Sequence, residues 1–270
     1  MPELPEVEVI KIGLQKKIIG LKIQKIQILS PKTFLGNTNL AEGQKVLKVW
    51  RRAKILGLDL SGDTTLLFHL KMSGQLIWEG DSKLIGGHPT PDMTNKMPTS
   101  HTRAIFSFSD GSHLYFNDQR RFGWVRVVNS GQVTGDSVMK SLGPEPLEKD
   151  FNWEILKQNL LKRKTLPVKV AIMDQSVVAG VGNIYANEAC FDAKLDPRIK
   201  VADLTDDQFK KLHGGIVKAL KAGIEHGGST RAHFVNAEGR KGYFLDYAFV
   251  YGKDGQPCKL CGTKIKKITL

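Results

Sequence analysis

The sequence predicts an α+β protein with one leading helix, an N-terminal β-sandwich or flattened barrel, and a helical C-terminal part that ends in a hairpin. Three observations carry this expectation. Between residues 21 and 128, short runs rich in branched apolar residues are punctuated by Gly, Asn and Asp, the pattern of strands joined by tight turns. Beyond residue 150 the apolar residues recur at helical spacing. Between them, from Asn129 to Lys149, the composition shifts to Gly, Ser, Pro and mixed charge, as a linker does.

Pro5 to Ile19 forms an amphipathic pattern, with Val7, Ile10, Leu14 and Ile18 on one helical face. Strands are expected at Leu21 to Leu29, Lys45 to Trp50, Ile55 to Leu60, Thr65 to Leu70 and Gln75 to Trp78. Ala104 to Phe108 and Ser112 to Phe116 flank Asp110-Gly111, a hairpin signal, and Trp124 to Val128 adds a further strand. Gly80 to Thr102, with Gly86-Gly87, three prolines and no periodicity, reads as a long inserted loop. Helices follow at Phe151 to Leu161, Pro167 to Met173, Asn183 to Phe191 and Asp206 to Glu225, then a glycine-rich polar loop from Gly227 to Gly242. Tyr247 to Tyr251 and Thr263 to Thr269 are expected to flank the Cys258/Cys261 turn as a hairpin.

The 270 residues suffice for a large core in two domains. An apolar fraction of 41%, no apolar run of membrane-spanning length and no opening like a signal peptide predict a cytoplasmic protein. A net charge of +13 makes a polyanion the natural partner, because each cation facing a phosphate releases condensed counterions. Nucleic acid leads, with a merely solvated basic surface as the alternative. No long apolar heptad points to self-association, so a monomer is expected.

The densest chemistry lies at the start, Met1-Pro2-Glu3-Leu4-Pro5-Glu6. Removal of Met1 would leave Pro2 with a free secondary amine, whose ordinary pKa near 8 keeps a useful fraction uncharged. Attack on a sugar carbon would give an iminium ion with no N–H proton to lose; its fixed positive charge favours elimination of a neighbouring phosphate. Glu3 stands next to it as a proton donor and Glu6 falls in the first helical turn. Further along, the tandem Arg120-Arg121 beside Phe122 argues against a buried site, since arginines are poor core residues. Glycines in Val178 to Ile184 precede a helix and free backbone N–H groups for an anion. Cys258-Lys259-Leu260-Cys261 has the spacing of half a four-cysteine zinc site, and Gly262 to Leu270 contains neither Cys nor His. A further ligand would have to come from Cys190 or a distant histidine such as His226.

Taken in order, these motifs resemble the formamidopyrimidine-DNA glycosylase family nearly end to end. Arg51-Arg52-Ala53-Lys54, His69-Leu70-Lys71-Met72-Ser73-Gly74, Arg120-Arg121-Phe122-Gly123, Met173-Asp174-Gln175, Val181 to Glu188 and Gly227-Gly228-Ser229-Thr230 carry the likeness. The resemblance implies an N-terminal catalytic sandwich at 1–130, a linker at 131–149, a helix-two-turns-helix domain with its lid loop at 150–243, and a partial zinc-finger hairpin at 244–270. It implies a bifunctional glycosylase and abasic-site lyase for oxidised purines, acting on double-stranded DNA containing such bases or abasic sites in the nucleoid. Pro2 would be the nucleophile, Glu3 the general acid, Glu6 a helper and Lys54 a phosphate contact. Met72, Arg120 and Phe122 would enter the gap left by the extruded base, Lys169 and Asn183 would bind phosphate, Glu188 would lie in the helix behind, and Gly228 to Arg240 would form the lid.

The family also implies Zn2+, which a half-site of Cys258 and Cys261 cannot hold in four-coordinate form. A sequence cut short, a zincless variant and a vestigial half-site all remain open, with the first favoured. Lys71 stands where the family commonly has glycine. The competing functions are an endonuclease VIII-like oxidised-pyrimidine glycosylase, a non-catalytic damaged-DNA binder and a basic RNA-binding protein. Leu4, the Arg120-Arg121-Phe122 run and the long lid favour the purine enzyme.

Overall fold

The computed structural model describes residues 1–87, 96–229 and 244–270. These fall into two compact units, one of 1–140 with 227–229, the other of 141–226 with 244–270.

The first unit opens with helix α1 (Leu4–Ile18). Pro5 lies in its first turn, where a missing N–H costs nothing, and the Glu6 carboxylate accepts from the Glu3 N–H at 2.7 Å. Ten strands follow: β1 (Ile23–Ile28), β2 (Phe34–Leu35), β3 (Val46–Arg52), β4 (Ile55–Leu60), β5 (Thr64–His69), β6 (Gly74–Glu79), β7 (Lys83–Gly87), β8 (Thr102–Phe108), β9 (His113–Asp118) and β10 (Trp124–Asn129). They make two five-stranded sheets, ordered β1-β8-β9-β6-β7 and β2-β10-β5-β4-β3, antiparallel except for the short β2–β10 pair. Phe34, Phe68, Phe106 and Phe116 from both sheets share one apolar core with Val7, Ile10, Leu14 and Ile18 of α1.

One stretch differs from expectation. The expected loop at Gly80 to Thr102 contains β7, which pairs with β6 through Trp78–Leu84 and Gln75–Gly87. Its glycines look like chain breakers but serve close packing: a Cβ on Gly86 would lie 2.2 Å from Ile10 of α1. Met97 then packs on Ile77, Ile85 and Tyr115, covering part of the outer face of that sheet. After β10, a 3-10 turn (Ser130–Gly135) and α2 (Ser137–Lys140) fold back on the other sheet, where Asp136 pairs with Arg126 at 2.8 Å.

The second unit holds α3 (Trp153–Leu161), α4 (Val168–Ala171), α5 (Asn183–Asp192), α6 (Asp206–Glu225) and α7 (Phe244–Tyr247). Thr205 caps α6 in a reciprocal box with Gln208. The expected C-terminal hairpin is a second correction. What pairs is a shorter stretch than expected: around the Pro257–Lys264 bridge, the Gly255 N–H donates to Ile265 O at 3.0 Å, the Ile265 N–H to Gln256 O at 2.9 Å and the Cys258 N–H to Thr263 O at 2.8 Å, while Tyr247 to Tyr251 takes no part. The reason lies in Glu188 of α5, whose carboxylate accepts from the N–H groups of Phe249, Val250 and Tyr251 at 2.8, 3.0 and 2.8 Å. Three consecutive amides satisfied by one carboxylate are lost to any strand ladder. No helix among the described residues is long and apolar enough to cross a membrane.

Candidate active site

In the first unit, the start of α1 and the β3–β4 turn bring Glu3, Glu6 and Lys54 around the chain's first amine. Pro2, Glu3 and Glu6 are buried, and Lys54 is only 5% exposed. The strand-end lysine is therefore an interior cation. Its ammonium is held below the usual lysine range by burial first, opposed by the charges of Glu3 and Glu6. The same forces act on the Met1 amine: burial lowers its proton affinity, Glu3 and Glu6 raise it, and Lys54 lowers it. An amine at this end of the chain would stand beside two carboxyl groups and a buried lysine, so a nucleophile and acid–base groups share one small volume. Ala53 sets the Lys54 turn at φ +52°, in the two-residue hairpin position that glycine usually takes. Glu6 does more than help at a distance, because its Oε1 accepts from the Ser229 N–H at 2.8 Å while its Oε2 holds the Glu3 N–H. It ties the N-terminal end of α1 to the Gly227-Gly228-Ser229 stretch. The remainder of the loop assigned to the lid, from Thr230 onward, lies outside the described residues.

Met72 and Phe122 sit on two turns of the same unit and are 42% and 55% exposed, so neither is a core residue. The Arg120 guanidinium lies 4.9 Å from the Phe122 ring centroid, a cation–π pair that steadies both. Each apolar side chain follows a non-glycine residue in the left-handed region, Lys71 at φ +48° and Arg121 at φ +57°. His69, at the end of β5, received no role from the sequence beyond its motif. Burial first, then the charges of Lys71, Lys54 and Arg126, push its pKa down to about 3. Its Nδ1 accepts from the Lys71 N–H at 3.0 Å, which leaves the proton of the neutral ring on Nε2 as a donor.

In the second unit, α4 and α5 bring Lys169 and Asn183 together, the Lys169 Nζ donating to Asn183 Oδ1 at 2.6 Å. Gln175 organises the turn before α5: its Oε1 accepts from Gly180 and its Nε2 donates to the Met173 and Val181 carbonyls. Gly180, at φ +91°, makes the bend that presents the first turn of α5. A groove of about 960 Å³ there is lined by Lys169, Asn183, Arg198, Tyr251, Lys266 and Lys267. Cations facing an open groove suit a phosphate chain.

Cys258 and Cys261 form a tight knuckle, with the Cys258 N–H donating to Thr263 O at 2.8 Å and the Gly262 N–H to Cys258 O at 2.9 Å. Among the described residues they acquire no further ligand. Among the described residues no group of three His, Cys, Asp or Glu could hold a metal. Cys190 is buried, with burial pushing its thiol up to about 12, and His226 is stacked on Tyr247 at 3.6 Å between ring centroids. The described residues do not fit a four-coordinate zinc ion.

Residues 1–125 match the formamidopyrimidine-DNA glycosylase N-terminal domain, and residues 142–234 match the formamidopyrimidine-DNA glycosylase H2TH domain. The chain belongs to the formamidopyrimidine-DNA glycosylase family. The glycosylase of Heliobacterium modesticaldum is 37% identical over 98% of this chain and 94% of its own length. That of Hahella chejuensis is 39% identical over 100% and 95%. The crystal structure of the MutM (Fpg) protein of Thermus thermophilus matches with a TM-score of 0.85 at 35% identity, over 100% of this chain and 94% of that one. A Lactococcus lactis Fpg variant, solved with DNA containing Fapy-dG, matches with a TM-score of 0.86 at 30% identity, over 100% and 95%.

Proposed function

We propose that this glycosylase-family protein excises oxidised purines, 8-oxoguanine and formamidopyrimidines, from duplex DNA and then cleaves the abasic strand. The burial of Pro2 at the start of α1 together with Glu3, Glu6 and Lys54 carries the reading. Once Met1 is removed, the Pro2 nitrogen attacks the anomeric carbon and the bond to the damaged base breaks. The ring oxygen takes a proton from Glu3 as the sugar opens, leaving an iminium ion. Loss of the 3′ phosphate and then of the 5′ phosphate follows by β- and δ-elimination, each driven by the positive nitrogen. Lys54 and the neutral His69 Nε2–H face phosphate next to the lesion, and Lys169 and Asn183 bind it in the second unit. Phe122 and Met72 fill the vacated stack while Arg120 faces the widowed base. Solved relatives carry the same substrate class: one MutM structure holds DNA containing carbocyclic 8-oxo-G, and one Lactococcus lactis Fpg holds DNA containing an abasic site.

One protomer suffices for these steps, and a monomer acting on nucleoid DNA in the cytoplasm is the corresponding expectation. The test compares excision of 8-oxoguanine and thymine glycol from otherwise identical duplexes. Faster release of 8-oxoguanine is expected; an equal or inverted preference contradicts the purine assignment.

A further inference from the structure

Asp118, at the end of β9, is 0% exposed, and the buried Arg103 of β8 donates its Nε–H to the Asp118 backbone carbonyl at 2.8 Å. Its carboxylate is spent on two turns that come from different parts of the sheets. Oδ1 accepts from the Ser73 hydroxyl at 2.5 Å and from the Arg120 N–H at 3.2 Å, while Oδ2 accepts from the Gly123 N–H at 2.6 Å. The Ser73 hydroxyl oxygen in turn accepts from the Arg120 N–H at 2.9 Å. One turn is Leu70 to Gly74, closed by the Gly74 N–H on Leu70 O at 2.8 Å, and it carries Met72. The other runs from Arg120 to Gly123 and carries Phe122.

Both turns are hard to deform at their glycines. A Cβ on Gly74 would lie 2.3 Å from Leu70 O, and one on Gly123 would lie 3.0 Å from Asp118 Oδ2. A buried carboxylate is expensive to desolvate unless every oxygen is satisfied, so a carboxylate here makes sense where one group must accept from several donors at once. Asparagine has the same shape but only one accepting oxygen. Its amide N–H groups would face either Gly123 N–H or the Ser73 and Arg120 donors.

We propose that Asp118 is a positioning residue that locks the Met72 turn and the Arg120–Phe122 turn into a single rigid wedge, so that both side chains enter DNA as one body. This rests on the functional reading above, in which those side chains fill the space of the extruded base. Without the link, each turn would have to be ordered separately at the moment of insertion, which slows unstacking and leaves the chemistry of an already exposed sugar untouched.

The test uses the processed full chain, its Asp118→Asn and Ser73→Ala variants, and Phe122→Ala as a reference. Stopped-flow fluorescence of 2-aminopurine beside 8-oxoguanine in a duplex reads wedge insertion. Borohydride trapping on a single-stranded abasic oligonucleotide reads the chemistry without it. Loss of one or two charge-assisted hydrogen bonds should slow unstacking about tenfold to a hundredfold in Asp118→Asn and less in Ser73→Ala. Trapping on the abasic strand should stay within about threefold of wild type. Unstacking at the wild-type rate in both variants overturns the proposal, and so does a parallel fall of unstacking and trapping, which marks general damage. Wild-type protein that produces no unstacking overturns it too. Normal unstacking by wild type with no excision counts against the functional reading alone.

Discussion

At the scale of single residues, burial lowers the proton affinity of the basic groups of the site, the first amine, Lys54 and His69. Pro2 and Glu3 stand out in the sequence because the expected chemistry needs an amine at the start of the chain and an acid beside it, whereas Lys54 enters only through the family resemblance. Their burial was not legible there, since only the packing of the β3–β4 turn against the start of α1 removes Lys54 from water. Replacing Glu3 with Gln removes the proton donor and should lower base excision by about two to four orders of magnitude while leaving the fold intact, measured by single-turnover kinetics on 8-oxoguanine DNA.

His69 makes a pH prediction. An unfolded histidine titrates near 6.5, whereas the folded ring titrates at about 3, so between these values the unfolded chain binds more protons and acid favours unfolding. This group's share of stability is present above 6.5 and is lost as pH falls toward 3, by up to about 2 kcal/mol at pH 5. Chemical denaturation at pH 7 and 5 should show a smaller loss for His69→Gln than for wild type; equal losses would refute the assignment. Lys71, at φ +48°, offers a third check. Lys71→Gly exchanges relief of left-handed strain for a floppier unfolded chain, and should shift stability by no more than about 1 kcal/mol in either direction.

At the scale of elements, the strands with clean apolar alternation were readable, and Ile55–Leu60 coincides with its expected range. β7 was not, because Gly86-Gly87 punctuates a sequence like a loop. The glycine is there to let α1 approach, a tertiary cause that no local pattern contains. The C-terminal hairpin is shorter than expected for the opposite reason, because Tyr247 to Tyr251 does not join it. Its residues have strand-like composition, but Glu188 takes the amides of Phe249, Val250 and Tyr251. Glu188→Gln halves the accepting capacity there. Native-state hydrogen exchange should then show protection at these three amides falling about tenfold or more, with that of α6 unchanged. Unaltered protection would mean that the carboxylate does not hold the segment. Asp118 and Ser73 belong to this scale too: the sequence places Ser73 in its motif and gives Asp118 no part, and only their hydrogen bonds show that they join two turns.

At the scale of the molecule, the charge of +13 and the grooved cationic face of the second unit agree on a polyanion, and the family assignment makes that polyanion DNA. If about six phosphates are neutralised, the logarithm of the binding constant should fall with the logarithm of salt at a slope near −5. A slope close to zero would leave the basic surface without a role. The most direct test of the account is the site of covalent attachment. Borohydride trapping of the mature protein on 8-oxoguanine DNA, followed by peptide mass spectrometry, should place the sugar on the nitrogen of Pro2 with Met1 removed. An adduct on Lys54 or another lysine, or strand cleavage at full rate by protein that retains Met1, would contradict it.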